Sequence, residues 1–204
     1  MSGQSISIDT TRNGRREPKS LARIKQSARK LFVERGYDST RPQDIAREAG
    51  LGHGTFYLHY PDKRACFLSF VEDARLELDG HLQKYRAGNQ TLEQRIAATL
   101  SAICEYAESH PGVLRAAMTD VSMIDAGGEE AQSLLMQWGR EWAEMIRTAA
   151  QDGNTCSTYD ADIIGQAIAG ALHQTGREAH HSSRCREALV VNITRFLTRA
   201  LKPD

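Results

Sequence analysis

Wherever apolar residues cluster in this chain they recur at helical spacing, and that recurrence limits the fold more than any other feature. Leu21, Ile24, Ala28, Leu31 and Phe32 follow one another at steps of 3, 4, 3 and 1, one face of a helix that Gly36 ends. Lys25, Arg29 and Lys30 lie off that stripe, toward water or a partner. A second short helix starts near Thr40 or Arg41, with Pro42 in its first turn, capping-box spacing between Thr40 and Gln43, and Ile45, Ala46 and Ala49 inward; Gly50 stops it. A third is expected over about 52–60, closed by Pro61. A fourth starts at Asp62 as N-cap and carries Phe67, Phe70, Val71, Ala74, Leu78 and Leu82 as far as Gly88-Asn89.

The same period continues beyond. Thr91 and Gln94 have capping-box spacing ahead of Leu92, Ile96, Leu100 and Ile103, and a short segment over 113–123 precedes Gly127-Gly128. Leu134, Leu135, Trp138, Trp142, Met145 and Ile146 mark a helix closed by Asp152-Gly153-Asn154. Two more are expected over about 160–179 and 183–201. No stretch alternates with the two-residue period of a strand, so the expected fold is all-α with about nine helices.

Composition bounds the rest. At 204 residues, 40% hydrophobic and 25% charged, the chain is of ordinary globular type with room for one or two domains. No run approaches the roughly 18 apolar residues of a membrane helix, and residues 1–18 lack the apolar core of a signal peptide, so a cytoplasmic protein without a membrane partner is expected. Cys66, Cys104, Cys156 and Cys185 lie far apart and form no C-x-x-C pair; they are expected as reduced thiols in helix cores. The net charge of zero is a cancellation. Residues 1–65 hold 13 Lys and Arg against 7 Asp and Glu, and residues 66–204 hold 13 against 19. A basic front on an acidic body predicts that the front meets a polyanion.

The stretch GLGHGTFYLHYPDK, residues 50–63, is where special chemistry concentrates. A phosphate loop of the form G-x-G-x-x-G would need glycine at Thr55 and a strand before it, and here a helix precedes. His53 and His59 are six residues apart, about 240° around a helix at roughly 100° per residue, too divergent to chelate a metal. Two short helices joined by a tight glycine turn and preceded by a basic helix do fit a helix-turn-helix. Its second helix would lie in the major groove, with Gly52, Gly54 and Thr55 permitting close approach, Tyr57, His59 and Lys63 donating to phosphates, and Phe56 facing the core.

The segment GYDSTRPQDIAREAGLGHGTFYLHYPDKRACF closely resembles the DNA-binding region of TetR-family transcriptional regulators. Gly36, Tyr37, Thr40, Asp44, Ile45, Ala46, Ala49, Gly50, Gly54, Thr55, Tyr57, His59 and Lys63 stand where that family's pattern places them. The resemblance implies that His53, Gly54, Thr55 and Tyr57 lie near bases or adjacent phosphates, while Thr40, His59 and Lys63 hold the DNA backbone. Arg41 stands where Thr or Ser is often found, and is expected to add a charged contact. Gly52 replaces the usual Ser or Thr cap, a change of a few tenths of a kcal/mol.

The resemblance also implies an organisation: a basic arm over 1–18 with Arg12, Arg15 and Arg16 near DNA, a helix-turn-helix domain over 19–65, and a ligand-binding and dimerisation domain over 66–204. A homodimer is expected through the last two helices, with Gly165, Ile168, Ala169, Leu172, Val190, Ile193, Phe196 and Leu197 as interface candidates. Tyr106, Met118, Met123, Trp138, Trp142, Met145 and His173 are candidates for lining a pocket for a small apolar or amphipathic effector. The partners expected are thus a palindromic double-stranded DNA operator, that effector and a second copy of the chain. No cofactor is expected, and no metal, although His173, His180, His181 and Cys185 lie near the join of the last two helices. No nucleophile and base stand at an interpretable spacing, so an enzyme is not expected. The function implied is a ligand-responsive regulator, most often a repressor; the alternative is a DNA-binding regulator whose body recruits another protein without a ligand.

Overall fold

The computed structural model describes residues 18–85, 90–118, 134–155, 158–182 and 186–202, for 176–182 the backbone alone. Among these residues the fold is all-α: α1 (Lys19–Arg35), α2 (Pro42–Glu48), α3 (His53–Tyr57), α4 (Lys63–Gln83), α5 (Leu92–Ser109), α6 (Val113–Ala117), α7 (Leu134–Gln151), α8 (Ala161–Ser182) and α9 (Arg186–Ala200). No helix among them is long and apolar enough to cross a membrane.

Local chemistry sets most of the boundaries. α1 buries Ile24, Ser27, Ala28, Leu31 and Phe32 and ends at Gly36, whose φ of 79° is a left-handed conformation that glycine adopts without strain. Asp62 caps α4 by accepting the Ala65 N–H at 2.7 Å. Thr91 and Gln94 form the reciprocal box at α5, each side chain accepting the other residue's backbone N–H. The box expected between Thr40 and Gln43 does not form. Arg41, whose side chain has no acceptor atom, is the N-cap of α2, and Pro42 begins the helix with no side-chain cap. α3 is shorter than expected, because the N–H groups of both His59 and Tyr60 turn back onto the Phe56 carbonyl before Pro61.

Packing joins these elements into one continuous apolar core. Phe32, Phe67 and Phe70 meet with ring centroids 5.0 to 5.7 Å apart, and Tyr37 closes on Phe67 at 4.9 Å. Each buried ring contributes about 1.5–3 kcal/mol through the area it removes from water. α4 is therefore shared: its first turns complete the core of α1–α3, while its later turns pack on α5. α6 wedges against α1 and α4, α9 lies along α5, and α7 pairs with α8.

That last pair corrects part of the expected dimer surface. A Cβ on Gly165 would stand 2.2 Å from the Gly139 carbonyl, and one on Gly139 would meet the Gln166 side chain at 2.3 Å, so the glycines let α7 and α8 close on each other within one chain. Gly165, Ile168, Ala169 and Leu197 are buried inside the chain, and Leu172, Val190 and Ile193 are half-buried against its core. Of the eight, Phe196 alone is largely exposed, at 64%. Among the described side chains, the large apolar groups exposed on α8 and α9 are Ile163, Val191 and Phe196, with Ala167 and Ala171 following Ile163 at successive turns.

Candidate nucleic-acid interface

Gly50 makes the turn between α2 and α3. Its φ of 61° is left-handed, which strains any residue but glycine, and a Cβ there would also have to displace the tip of the Arg23 side chain, 2.7 Å away. The N–H of Leu51 then reaches back to the Ala46 carbonyl at 2.9 Å and closes the turn. Ile45 and Ala46 of α2, Ala49 at its C-cap and Phe56 of α3 are buried, as is Tyr60 beyond it, and they lock the angle between the two helices. The opposite side of α3 is bare to solvent. His53, Gly54, Tyr57 and Leu58 are exposed, and the His53 ring meets the Tyr57 ring edge-on at 5.2 Å.

His53, Gly54 and Tyr57 are thus exposed along α3, with Thr55 half-buried beside them, and Arg41 at the start of α2 is exposed too. His59 is half-buried, and its Nε2 lies 2.9 Å from the Ser20 hydroxyl of α1. Lys63 donates from Nζ to the Tyr37 carbonyl at 3.0 Å and sits 4.1 Å from the centre of the Tyr37 ring. Both residues thus brace the motif as well as bordering it. Thr40 is the correction. It is fully buried, its hydroxyl donates to the Gly36 carbonyl at 2.7 Å, and it offers no surface to a phosphate. Arg12, Arg15 and Arg16 lie outside the described residues.

The basic residues of α1 do not all face outward. Lys25 pairs with Asp73, Arg29 with Glu77 and Lys30 with Glu48, so a ladder of cations on α1 is matched by acids on α4 and α2. Glu77 is the hub. It takes two hydrogen bonds from the Arg29 guanidinium, at 2.7 and 2.8 Å, and one from the Tyr106 hydroxyl at 2.8 Å. Burial by itself would raise its carboxyl, but the bonds from Arg29 and Tyr106 and the Arg29 charge outweigh burial and hold it below the ordinary glutamate range. Burial and that same bond push the Tyr106 phenol up, so it stays a neutral donor. One carboxylate thereby fastens α1 to α4 and α5.

A cavity of about 620 Å³ opens along this seam, lined by Lys25, Arg29, Tyr60, Cys66, Glu77 and His110 among others. None of the seven expected pocket residues lines it. Tyr106, Trp138 and Trp142 are buried in the core, Met118, Met145 and His173 are half-buried, and Met123 lies outside the described residues. Burial pushes the Cys66 thiol up to about 12 and raises that of Cys104, in keeping with packed, unreactive thiols; Cys156 and Cys185 lie outside the described residues. No group of three or more His, Cys, Asp or Glu among the described residues could hold a metal ion, and the side chains of His180, His181 and Cys185 are outside them.

Sequence reasoning missed two features. The tie from Arg29 to Glu77 to Tyr106 joins residues 48 and 29 positions apart, a pairing no local pattern signals. Leu58 was visible only as an apolar residue inside an expected helix.

Comparison with known proteins agrees with this geometry. Residues 24–70 match the family described as bacterial regulatory proteins of the tetR family. A 48-residue segment, 24% of this chain, is 44% identical to the HTH-type transcriptional regulator YuxN of Bacillus subtilis, and spans 16% of that protein's length. An HTH-type transcriptional regulator of Staphylococcus aureus is 22% identical over 163 residues, 79% of this chain and 84% of that one. The solved structure of the fatty acid degradation regulator FadR of Bacillus halodurans has a TM-score of 0.73 at 17% identity, covering 90% of this chain and 97% of that one, a likeness of fold.

Proposed function

We propose that this chain, whose residues 24–70 match the tetR family of bacterial regulatory proteins, is a ligand-responsive repressor that binds a palindromic operator as a homodimer. One observation carries the DNA surface: His53, Gly54 and Tyr57 stand in solvent on a helix anchored by the fully buried Phe56, and Arg41, at the start of α2, is exposed as well. A rigid mount of this kind fixes which groups reach base edges and which reach phosphates. Tyr57 and Arg41 donate to phosphates, and the bare Gly54 lets the helix approach the bases.

The remainder, from α4 onward, dimerises and takes the effector. Ile163, Ala167 and Ala171 on α8 and Val191 and Phe196 on α9 are the apolar groups a second copy would cover. A two-fold dimer spaces its recognition helices about 34–36 Å apart, one turn of B-DNA. The effector is small and apolar or amphipathic, and acts by favouring a state in which that spacing is lost. The bond chain from Tyr106 through Glu77 to Arg29 supports this, since it ties the orientation of α1 to the packing of α5.

The test begins with selection of binding sites from random duplex DNA by the full chain. On the selected operator, Arg41→Ala and Tyr57→Ala should each weaken binding by roughly tenfold or more, given about 1.5–3 kcal/mol for a hydrogen bond to a charged group, with unchanged circular dichroism. Binding unaltered in both variants would refute the surface. Thermal-shift screening against metabolites should find a compound that stabilises the protein and releases the operator. Specific DNA binding with no such compound would favour recruitment of another protein instead.

A further inference from the structure

We propose that Leu58 is a specificity-determining residue, and that it meets the 5-methyl group of a thymine in the major groove of the operator. The inference rests on the DNA reading above and sharpens it. At 80% exposure Leu58 is the most exposed large apolar side chain among the described residues. A single exposed leucine is ordinary on a protein surface. Its place on the recognition helix is what singles this one out.

Leu58 continues the helical backbone of α3, with φ −71° and ψ −22°. At roughly 100° per residue it stands about 160° from Phe56, the residue that anchors the helix to the core, and only about 40° from Gly54. Gly54 and Leu58 thus form the midline of the outward face, one turn apart. Nothing lies within 4 Å of the point where a Cβ on Gly54 would sit. Because helical side chains lean toward the N-terminus, Leu58 reaches back over that bare turn. His53 and Tyr57 pair ring to ring and form one flank of the same face. The helix therefore presents a hollow at Gly54 with a branched apolar group beside it.

The chemistry of the groove selects the occupant. Base edges in the major groove offer hydrogen-bond donors and acceptors, and the C5-methyl of thymine is the apolar group among them. Leucine has no polar atom to bond an edge, and contact with that methyl is what its side chain can gain. A cytosine or purine at the same step would leave both the leucine and a polar edge unmatched. Arg41 and Tyr57 on the phosphates would fix the register in which this contact falls.

The experiment uses the full chain and the operator it selects, with each thymine replaced in turn by uracil, which lacks only the methyl. Affinity is read by fluorescence anisotropy at one fixed salt concentration. One thymine in each half-site should lose about fourfold on replacement, and about 15-fold when both half-sites are changed, as expected for one buried methyl per contact. Leu58→Ala should bind the thymine operator more weakly and be indifferent to uracil, whereas Leu58→Met should keep the preference. Because Leu58 is exposed, both variants should keep the wild-type melting temperature. Equal binding of every uracil operator by the wild type would overturn the proposal, as would a uracil effect that persists undiminished in Leu58→Ala. Failure to select any duplex would instead bring down the DNA reading and this inference with it. A selected operator without a uracil effect removes the inference alone, and leaves Leu58 to a protein partner.

Discussion

Glu77 shows how one side chain can hold two parts of a molecule in register. Its carboxylate accepts from Arg29 on α1 and Tyr106 on α5, and both bonds strengthen only when it is charged. Glu77→Gln should destabilise the fold by about 1–2 kcal/mol, since it leaves a half-buried guanidinium with a weaker acceptor. Because the folded carboxyl is held below its ordinary value, its contribution is present above the unfolded glutamate value of about 4.3 and disappears as pH falls through the lower folded one. Urea unfolding of wild type and variant should therefore differ at neutral pH, and that difference should be lost as pH falls below the ordinary glutamate range. A gap that stays open in acid would mean the carboxylate is not the source. Thr40 teaches the complementary lesson. Its hydroxyl is buried and satisfies the Gly36 carbonyl at the end of α1, so the side chain is turned inward.

At the scale of elements, the caps separate what is local from what is not. Thr91–Gln94 and Thr40–Gln43 have the same spacing, yet only the first forms the box. The difference lies in the tertiary packing that draws the Thr40 hydroxyl inward to α1. Asp62 is a cap free of such competition, and it holds the first turn of α4 beside Lys63 and the Tyr37 ring. Asp62→Ala should cost about 0.5–2 kcal/mol in equilibrium unfolding. Amide exchange should rise first at residues 63–66, and operator affinity should fall with it; uniform exchange across α4 would argue against a local cap.

Over the whole molecule, the question is which apolar surface belongs to the chain and which to a partner. Gly165, Ile168, Ala169 and Leu197 go to the chain's own core, while Ile163, Val191 and Phe196 stay exposed and are the groups proposed for a second copy. Placing a charge at the middle of a covered apolar face removes most of its driving force. Phe196→Glu should therefore give a folded monomer in sedimentation at micromolar concentration and lose operator binding, because the two recognition helices act as a pair. A dimer unchanged by this variant would place the interface elsewhere.

The helices themselves were legible in the sequence. Apolar residues at steps of three and four, Pro42 and Pro61, the left-handed Gly36 and Gly50, and the Asp62 and Thr91 caps act through neighbours a turn away, so chain order alone determined them. The two short helices and the glycine turn between them were legible for the same reason, through the pattern from Gly36 to Lys63. Partners far apart in sequence were decided only by the tertiary structure. Glycines on α8 could have served a dimer or α7 equally well until Gly139 was found opposite Gly165, and Thr40 could have faced a phosphate until α1 closed over it. Periodicity fixes which face of a helix is apolar, whereas what covers that face depends on how the helices come together.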